Sequence, residues 1–173
     1  MAKKVLMIIA PVNFRDEELQ EPTAILEKQG IEVVVASTAS GTAKGMFGMQ
    51  VNPDTTVDGV NPDDFDAVIV VGGSGSQTYL WNNMRVQQIV QASHQQEHVV
   101  AAICISPVVL ARAGLLRERK ATVFRTATTL GELKKGGAII SDAPVVIDGR
   151  MITGRGPEAA REFGQKIAES LLK

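Results

Sequence analysis

The sequence predicts an α/β fold, a three-layer α/β/α sandwich around a mostly parallel sheet, as one domain spanning residues 1–173. Three observations predict it. Fully apolar, strand-like runs recur at Val5–Ala10, Ala67–Val71 and Val99–Ile103, the pattern of strands buried on both faces. Stretches of helical spacing lie between them, several closed by glycine. A composition of 45% hydrophobic and 21% charged residues is that of an ordinary globular chain. At 173 residues it is long enough to bury well over half of its unfolded surface.

Lys4–Ala10 reads as the first strand, apolar throughout and therefore central. Pro11–Asp16 reads as a loop and Glu17–Gln29 as a helix ended by Gly30. Asp16, Glu17, Glu18 and Glu21 crowd its first turns, where acidic side chains suit the helix dipole. Pro22 cannot donate the helix bond to the Glu18 carbonyl, so a kink or a late start is expected. Ile31–Ala36 is a second strand. Ser37–Asn52, rich in Gly, Thr and Ser with apolar Met46, Phe47, Met49 and Val51, reads as a short hairpin or flap. Val57–Asp64 is turn chemistry and Ala67–Val71 a buried strand. The following Gly72-Gly-Ser-Gly-Ser76 fits neither phosphate-binding glycine pattern; its use is to bring a backbone N–H close to a neighbouring strand end.

Asn82–Gln96 reads as a polar-faced helix feeding the Val99 strand. Pro107–Ala113 is a helix stopped by Gly114, Lys120–Phe124 a short strand, and Ala127–Lys135 a helix stopped by Gly136-Gly137. Pro144–Ile147 and Met151–Thr153 flank Asp148-Gly149, a hairpin signal. Gly156-Pro157 opens the last helix.

Eighteen basic against nineteen acidic side chains leave a net charge of −1, so nucleic-acid partners are not expected. One cysteine can form neither an internal disulfide nor a cysteine-rich metal site, which fits a reducing cytoplasm. Neither metal nor cofactor is expected. The run after Met1-Ala-Lys-Lys is too short for a signal-peptide core, and no run approaches membrane-spanning length.

That cysteine, Cys104, stands between a buried strand and a helix, the layout of a nucleophile elbow. Such a turn lifts the side chain out of the sheet. Backbone N–H groups after it can hold an oxyanion, and a helix start would favour thiolate. A buried structural cysteine is the plain alternative. Glu18, the Gly72-Gly73 loop and Cys104 each follow the carboxyl end of a predicted strand, where parallel α/β sheets place their sites. The histidines sit elsewhere. His98 precedes the Val99 strand and Cys104 follows it, roughly 20 Å away at about 3.3 Å per residue. His94 is further back. Their spacing could clip a metal, but no third ligand is in sight. Acid–base work at Cys104 therefore falls to Glu18, or Glu18 is only a helix-start carboxylate.

Several segments together resemble the ThiJ/PfpI superfamily of class I glutamine-amidotransferase-like proteins. They are Lys4-Val-Leu-Met-Ile-Ile9, Asp16-Glu-Glu-Leu19, Phe65–Gly73, Ala102-Ile-Cys-Ile-Ser-Pro107, Gly114–Thr122, Ile147-Asp-Gly149 and Ile152–Pro157. Nearly the whole chain is covered. The resemblance implies a flavodoxin-like sandwich, with Cys104 as nucleophile, Glu18 as its hydrogen-bonded partner, and the N–H groups of Gly73 and Ile105 as oxyanion hole. Ser106, Phe124 and Arg125 become candidate pocket residues. Val71 stands where the family usually has proline. Ile105 stands where peptidase-type members carry histidine, and Phe124 where others bring one. The resemblance thus implies glyoxalase- or deglycase-type chemistry on small reactive carbonyls, with Glu18 shuttling the proton. Alternatives are redox sensing through Cys104 oxidation, hydrolysis of another small substrate, and intracellular peptidase activity. A homodimer or larger homo-oligomer is implied as well.

Overall fold

The computed structural model describes residues 2–173. The first half runs β1 (Lys4–Ile9), β2 (Val12–Phe14), α1 (Asp16–Lys28), β3 (Glu32–Ser37), β4 (Ala43–Gly45), β5 (Gln50–Val51) and β6 (Thr55–Thr56). There follow β7 (Ala67–Val70), α2 (Gly75–Tyr79), α3 (Met84–Gln95), β8 (Val99–Ile103), α4 (Pro107–Arg112) and β9 (Lys120–Ala121). The chain closes with α5 (Ala127–Lys135), β10 (Ile139–Ile140), β11 (Val145–Asp148), β12 (Met151–Gly154) and α6 (Ala160–Leu172).

Seven strands form the main sheet in the order β11-β12-β8-β7-β1-β3-β6. All its pairs are parallel except β11 with β12, the hairpin turned by Asp148-Gly149. The chain leaves β1 toward β3 on one side and leaves β7 toward β8 on the other. A crevice therefore opens at the carboxyl ends of β1 and β7. Strand alternation splits β1 between two cores. Val5, Met7 and Ile9 join Phe163 and Ile167 of α6 and Leu19 and Leu26 of α1. Leu6 and Ile8 join Ile89 of α3, Leu110 of α4 and Leu133 of α5 on the other face. Helices thus cover both faces, and the three-layer sandwich follows.

The structure departs from the sequence reading where backbone groups find unexpected partners. Val12–Phe14, expected as loop, pairs with β4, so the Ser37–Asn52 flap becomes a three-stranded sheet of order β2-β4-β5. The Lys120–Phe124 strand shortens to Lys120–Ala121. Beyond it the Thr122 N–H donates to Thr153 Oγ1 and the Phe124 N–H to the Cys104 carbonyl, not to a strand ladder. The glycine-rich loop turns helical at Gly75, where a methyl group would sit 1.9 Å from the Val12 carbonyl oxygen. Helix α1 runs through Pro22 without interruption. Pro22 packs instead on Gly164 of α6, where an added Cβ would approach its Cα to 2.9 Å.

Candidate active site

Cys104 directly follows β8 with φ +65°, a left-handed conformation that costs a non-glycine residue of order 1–3 kcal/mol. The chain reverses tightly here: the Cys104 N–H donates to the Gly154 carbonyl and the Ser106 N–H to that of Ile103. Trp81 Nε1 pins the turn from outside by donating to the Ile105 carbonyl at 3.0 Å. The strain is held by these contacts, and the side chain is lifted out of the sheet as an elbow requires.

Two glycines bring the neighbouring strand end against this turn. At Gly72 an added Cβ would lie 2.4 Å from Glu18 Oε1, 2.5 Å from Cys104 Cβ and 2.7 Å from the Ile103 carbonyl oxygen. No other residue fits between the carboxyl and the cysteine. At Gly73 the chain has φ +103°, and a Cβ would meet the Arg15 amide at 2.4 Å. The N–H groups of Gly73 and Ile105 lie near enough to the Cys104 side chain for both to favour thiolate.

Glu18 is completely buried. Its Oε1 accepts the Gly72 N–H at 3.0 Å, and Oε2 is buried without a hydrogen-bond partner among the described residues. Burial pushes the carboxyl up to about 8, against the lesser pull of the Cys104 side chain and the Gly72 N–H. Glu18 is consequently neutral at pH 7. Burial also pushes the Cys104 thiol up, to about 12, followed by repulsion from an ionised Glu18; the N–H groups of Gly73 and Ile105 oppose both. The expectation of a thiol made acidic by a helix start is therefore corrected. α4 is only six residues long and begins with Pro107, which has no N–H to offer. The sulfur is shielded from water, 8% of the residue being exposed. Each charge would repel the other, so the two groups titrate as one coupled pair.

Of the other candidate residues, Phe124 joins Cys104 and Ile105 in the wall of a cavity of about 250 Å³. Ser106 does not line it. Its buried hydroxyl donates to the Val71 carbonyl at 2.6 Å and lies 2.7 Å from Ser76 Oγ. Having one hydrogen, Ser106 must accept from Ser76. Arg125 is also elsewhere, lining a separate cavity and paired with Asp142. His94 and His98 stand beside Arg150 and Glu97 at the opposite end of the sheet. Among the described residues no group of three or more His, Cys, Asp or Glu could hold a metal ion.

Sequence reasoning missed Arg15, Met46, Gln77 and Thr126, which complete the cavity wall with Ser74 and Pro157. The one usable signal was the apolar pair Met46-Phe47 inside a polar flap. Asp16, read as a helix-dipole acid, holds that flap closed: Oδ1 accepts the Phe47 N–H at 3.2 Å and Oδ2 the Met49 N–H at 3.0 Å.

The model of the DJ-1/PfpI family matches residues 3–170. The chain belongs to the DJ-1/PfpI family. It is 49% identical over 170 residues to an uncharacterized protein of Methanocaldococcus jannaschii, covering 98% of this chain and 83% of that one. A deglycase of Thermococcus kodakarensis is 36% identical over 152 residues, 88% of this chain and 90% of the relative. The crystal structure of a ThiJ/PfpI domain protein from Brachyspira murdochii superposes with a TM-score of 0.94 at 32% identity, covering 99% and 97% of the two chains. The DJ-1/PfpI sandwich is thus the frame on which this pocket is built. No helix of the described residues is long and apolar enough to cross a membrane.

Proposed function

We propose that the chain is a cysteine-dependent enzyme acting on small reactive carbonyls, of the glyoxalase or deglycase type. The observation that carries this reading is the unpartnered, buried Oε2 of Glu18, protonated at neutral pH, beside the one cysteine of the chain. An oxygen sealed from water can exchange its proton only with what sits at Cys104, which is the situation of a shuttle rather than of a helix-start carboxylate. Losing one proton leaves one negative charge on the pair. At the sulfur the N–H groups of Gly73 and Ile105 both favour that charge, whereas the wholly buried carboxylate has only the Gly72 N–H. The reactive form is thiolate with neutral Glu18.

In the proposed reaction Cys104 Sγ bonds to an aldehyde carbon, and the carbonyl π pair moves onto oxygen, facing the N–H groups of Gly73 and Ile105. Glu18 Oε2 protonates that oxygen, giving a neutral hemithioacetal, and can take up a proton again in the next step. A dicarbonyl such as methylglyoxal then needs a proton moved from the aldehyde carbon to its neighbour. Hydrolysis of the resulting thioester by one water releases the hydroxy acid and restores the thiol. The cavity, about 250 Å³, falls below the ~300–1,000 Å³ usual for drug-sized ligands, which favours such small substrates over peptides. The absence of histidine from its wall points the same way. The name deglycase carried by the Thermococcus relative supports carbonyl chemistry. Redox sensing is favoured less, because the thiol is nearly buried and burial pushes its pKa up.

The test is consumption of methylglyoxal by the purified protein, with lactate measured as product. Cys104→Ala should abolish it, and Glu18→Gln should lower turnover by roughly 10²-fold, the scale of losing an acid–base group. Undiminished turnover in Cys104→Ala would remove the nucleophile from the mechanism. No consumption by the unaltered protein would end the carbonyl reading.

A further inference from the structure

The cavity above Cys104 has one charged residue in its wall, Arg15. Met46, Ile105, Phe124 and Pro157 supply apolar surface, and Ser74, Gln77 and Thr126 supply uncharged polar groups. No acidic side chain lines it, and Glu18 behind the sulfur is neutral at pH 7.

Arg15 is held in place by its surroundings. Its N–H donates to the Gly72 carbonyl at 2.9 Å, tying it to the glycine pair that faces Cys104. One face of the guanidinium stacks on the Phe47 ring, 4.6 Å from the centroid. One edge is taken by Glu17, which accepts from Nε at 3.0 Å and from Nη2 at 2.9 Å. The remaining nitrogen, Nη1, makes no hydrogen bond within the described residues. The charge is close enough to feel both Glu18 and Cys104. A guanidinium fixed on its face and on one edge presents its free end as an oriented donor for a carboxylate oxygen.

We infer that the pocket selects carboxylate-bearing small aldehydes, with glyoxylate the simplest probe of the class because it forms the hemithioacetal and goes no further: the carboxylate meets Arg15 while the aldehyde carbon meets Cys104. This refines the carbonyl reading above by naming the substrate class, and rests on it. The covalent step is the same addition. The S–C bond forms as the C=O π bond opens, the proton goes to oxygen through Glu18, and nothing is oxidised or reduced. Glu17 offsets part of the Arg15 charge, so the preference is moderate and tunable from outside the pocket.

The test compares Cys104 alkylation by iodoacetate with that by iodoacetamide, read by intact mass at pH 7, where Glu18 holds its proton. The reagents differ by one charge at nearly equal size, and both lose iodide to the same sulfur. Their rate ratio cancels the thiolate fraction, which separates steering by Arg15 from any effect on the thiol pKa. Relative to N-acetylcysteine in the same buffer, the unaltered protein should favour iodoacetate by about three- to tenfold, a modest charge–charge effect. Arg15→Met should bring the ratio to or below the free-thiol value while iodoacetamide still reacts. Glu17→Gln should raise it. A ratio indifferent to Arg15→Met overturns the inference, as does failure of both reagents to reach the sulfur, since a cavity closed to them is closed to glyoxylate. Glyoxylate has no second carbonyl carbon to receive the proton and stops at the hemithioacetal, so it should inhibit methylglyoxal turnover competitively, with an inhibition constant that rises in Arg15→Met. If no aldehyde is consumed while the alkylation ratio behaves as stated, the proposed activity fails and the anion preference stands. If methylglyoxal is consumed and the ratio ignores Arg15, only the preference fails.

Discussion

The Gly72 N–H donates to Glu18 Oε1 at 3.0 Å, and this bond settles which carboxyl oxygen carries the proton. Oε1 is held as an acceptor, so in the neutral acid the hydrogen belongs on Oε2, the oxygen without another partner. One backbone amide thus turns a buried carboxyl into an oriented donor.

The stability of the protein should carry the signature of that buried acid. Glu18 goes from 4.5 to about 8 on folding, so the folded state holds its proton more tightly than the unfolded one. The contribution is fully present below about pH 4.5, falls as pH rises, and is gone above about pH 8. Over that window the loss is on the order of 5 kcal/mol. Glu18→Gln cannot ionise and should escape it. Thermal melts of both proteins between pH 5 and 9 should show the Tm of the variant gaining on the parent up to about pH 8, then holding a constant gap. Parallel curves would mean that Glu18 is ionised at neutral pH.

Two glycine substitutions should have opposite signs. Gly72→Ala places a methyl against Glu18, Cys104 and the Ile103 backbone at once, none of which can retreat. It should lower the Tm sharply and suppress Cys104 alkylation. Gly131, inside α5, has nothing within 4 Å of an added Cβ, so Gly131→Ala should stabilise by about 0.5–1 kcal/mol through helix propensity alone. Urea unfolding of the two variants measures both.

The buried hydroxyl pair predicts an asymmetry. Ser106→Ala strands the Ser76 hydroxyl and takes a donor from the Val71 carbonyl, costing about 1–3 kcal/mol. Ser76→Ala leaves the Ser106–Val71 bond intact and should cost less. Equal losses in denaturant unfolding would show that the Ser76–Ser106 contact, not the bond to Val71, holds the two strand ends together.

The flap should open when its anchor is removed. Asp16→Ala leaves the N–H groups of Phe47 and Met49 without their acceptor, and their hydrogen exchange should quicken by at least about tenfold while β1 and β8 stay protected. Asp16→Asn, with one acceptor oxygen in place of two, should protect one of these amides only. Unchanged exchange at both positions would place the hold on the flap in the β2–β4 pairing.

The sequence by itself determined the layered α/β sandwich, because unbroken apolar runs such as Val99–Ile103 can only be buried on both faces. It also determined that Glu18, Gly72-Gly73 and Cys104 share one edge, since each follows the carboxyl end of such a run, and that His98 lies across the sheet. Contacts between residues distant along the chain were decided by the tertiary structure alone. Arg15 carries no periodic signal, and only its place between β2 and α1 sets it in the cavity wall. Asp16 and Glu18 look alike as helix-start acids, yet one meets the flap and the other the cysteine, because residues two apart on a helix face different neighbours. Arg125 follows Phe124 directly, but turns to Asp142 and a different cavity. The titration of the Glu18–Cys104 pair was equally out of reach of the sequence. A local pattern suggests a helix start that would acidify the thiol, whereas the pKa depends on how completely the folded chain excludes water from both groups.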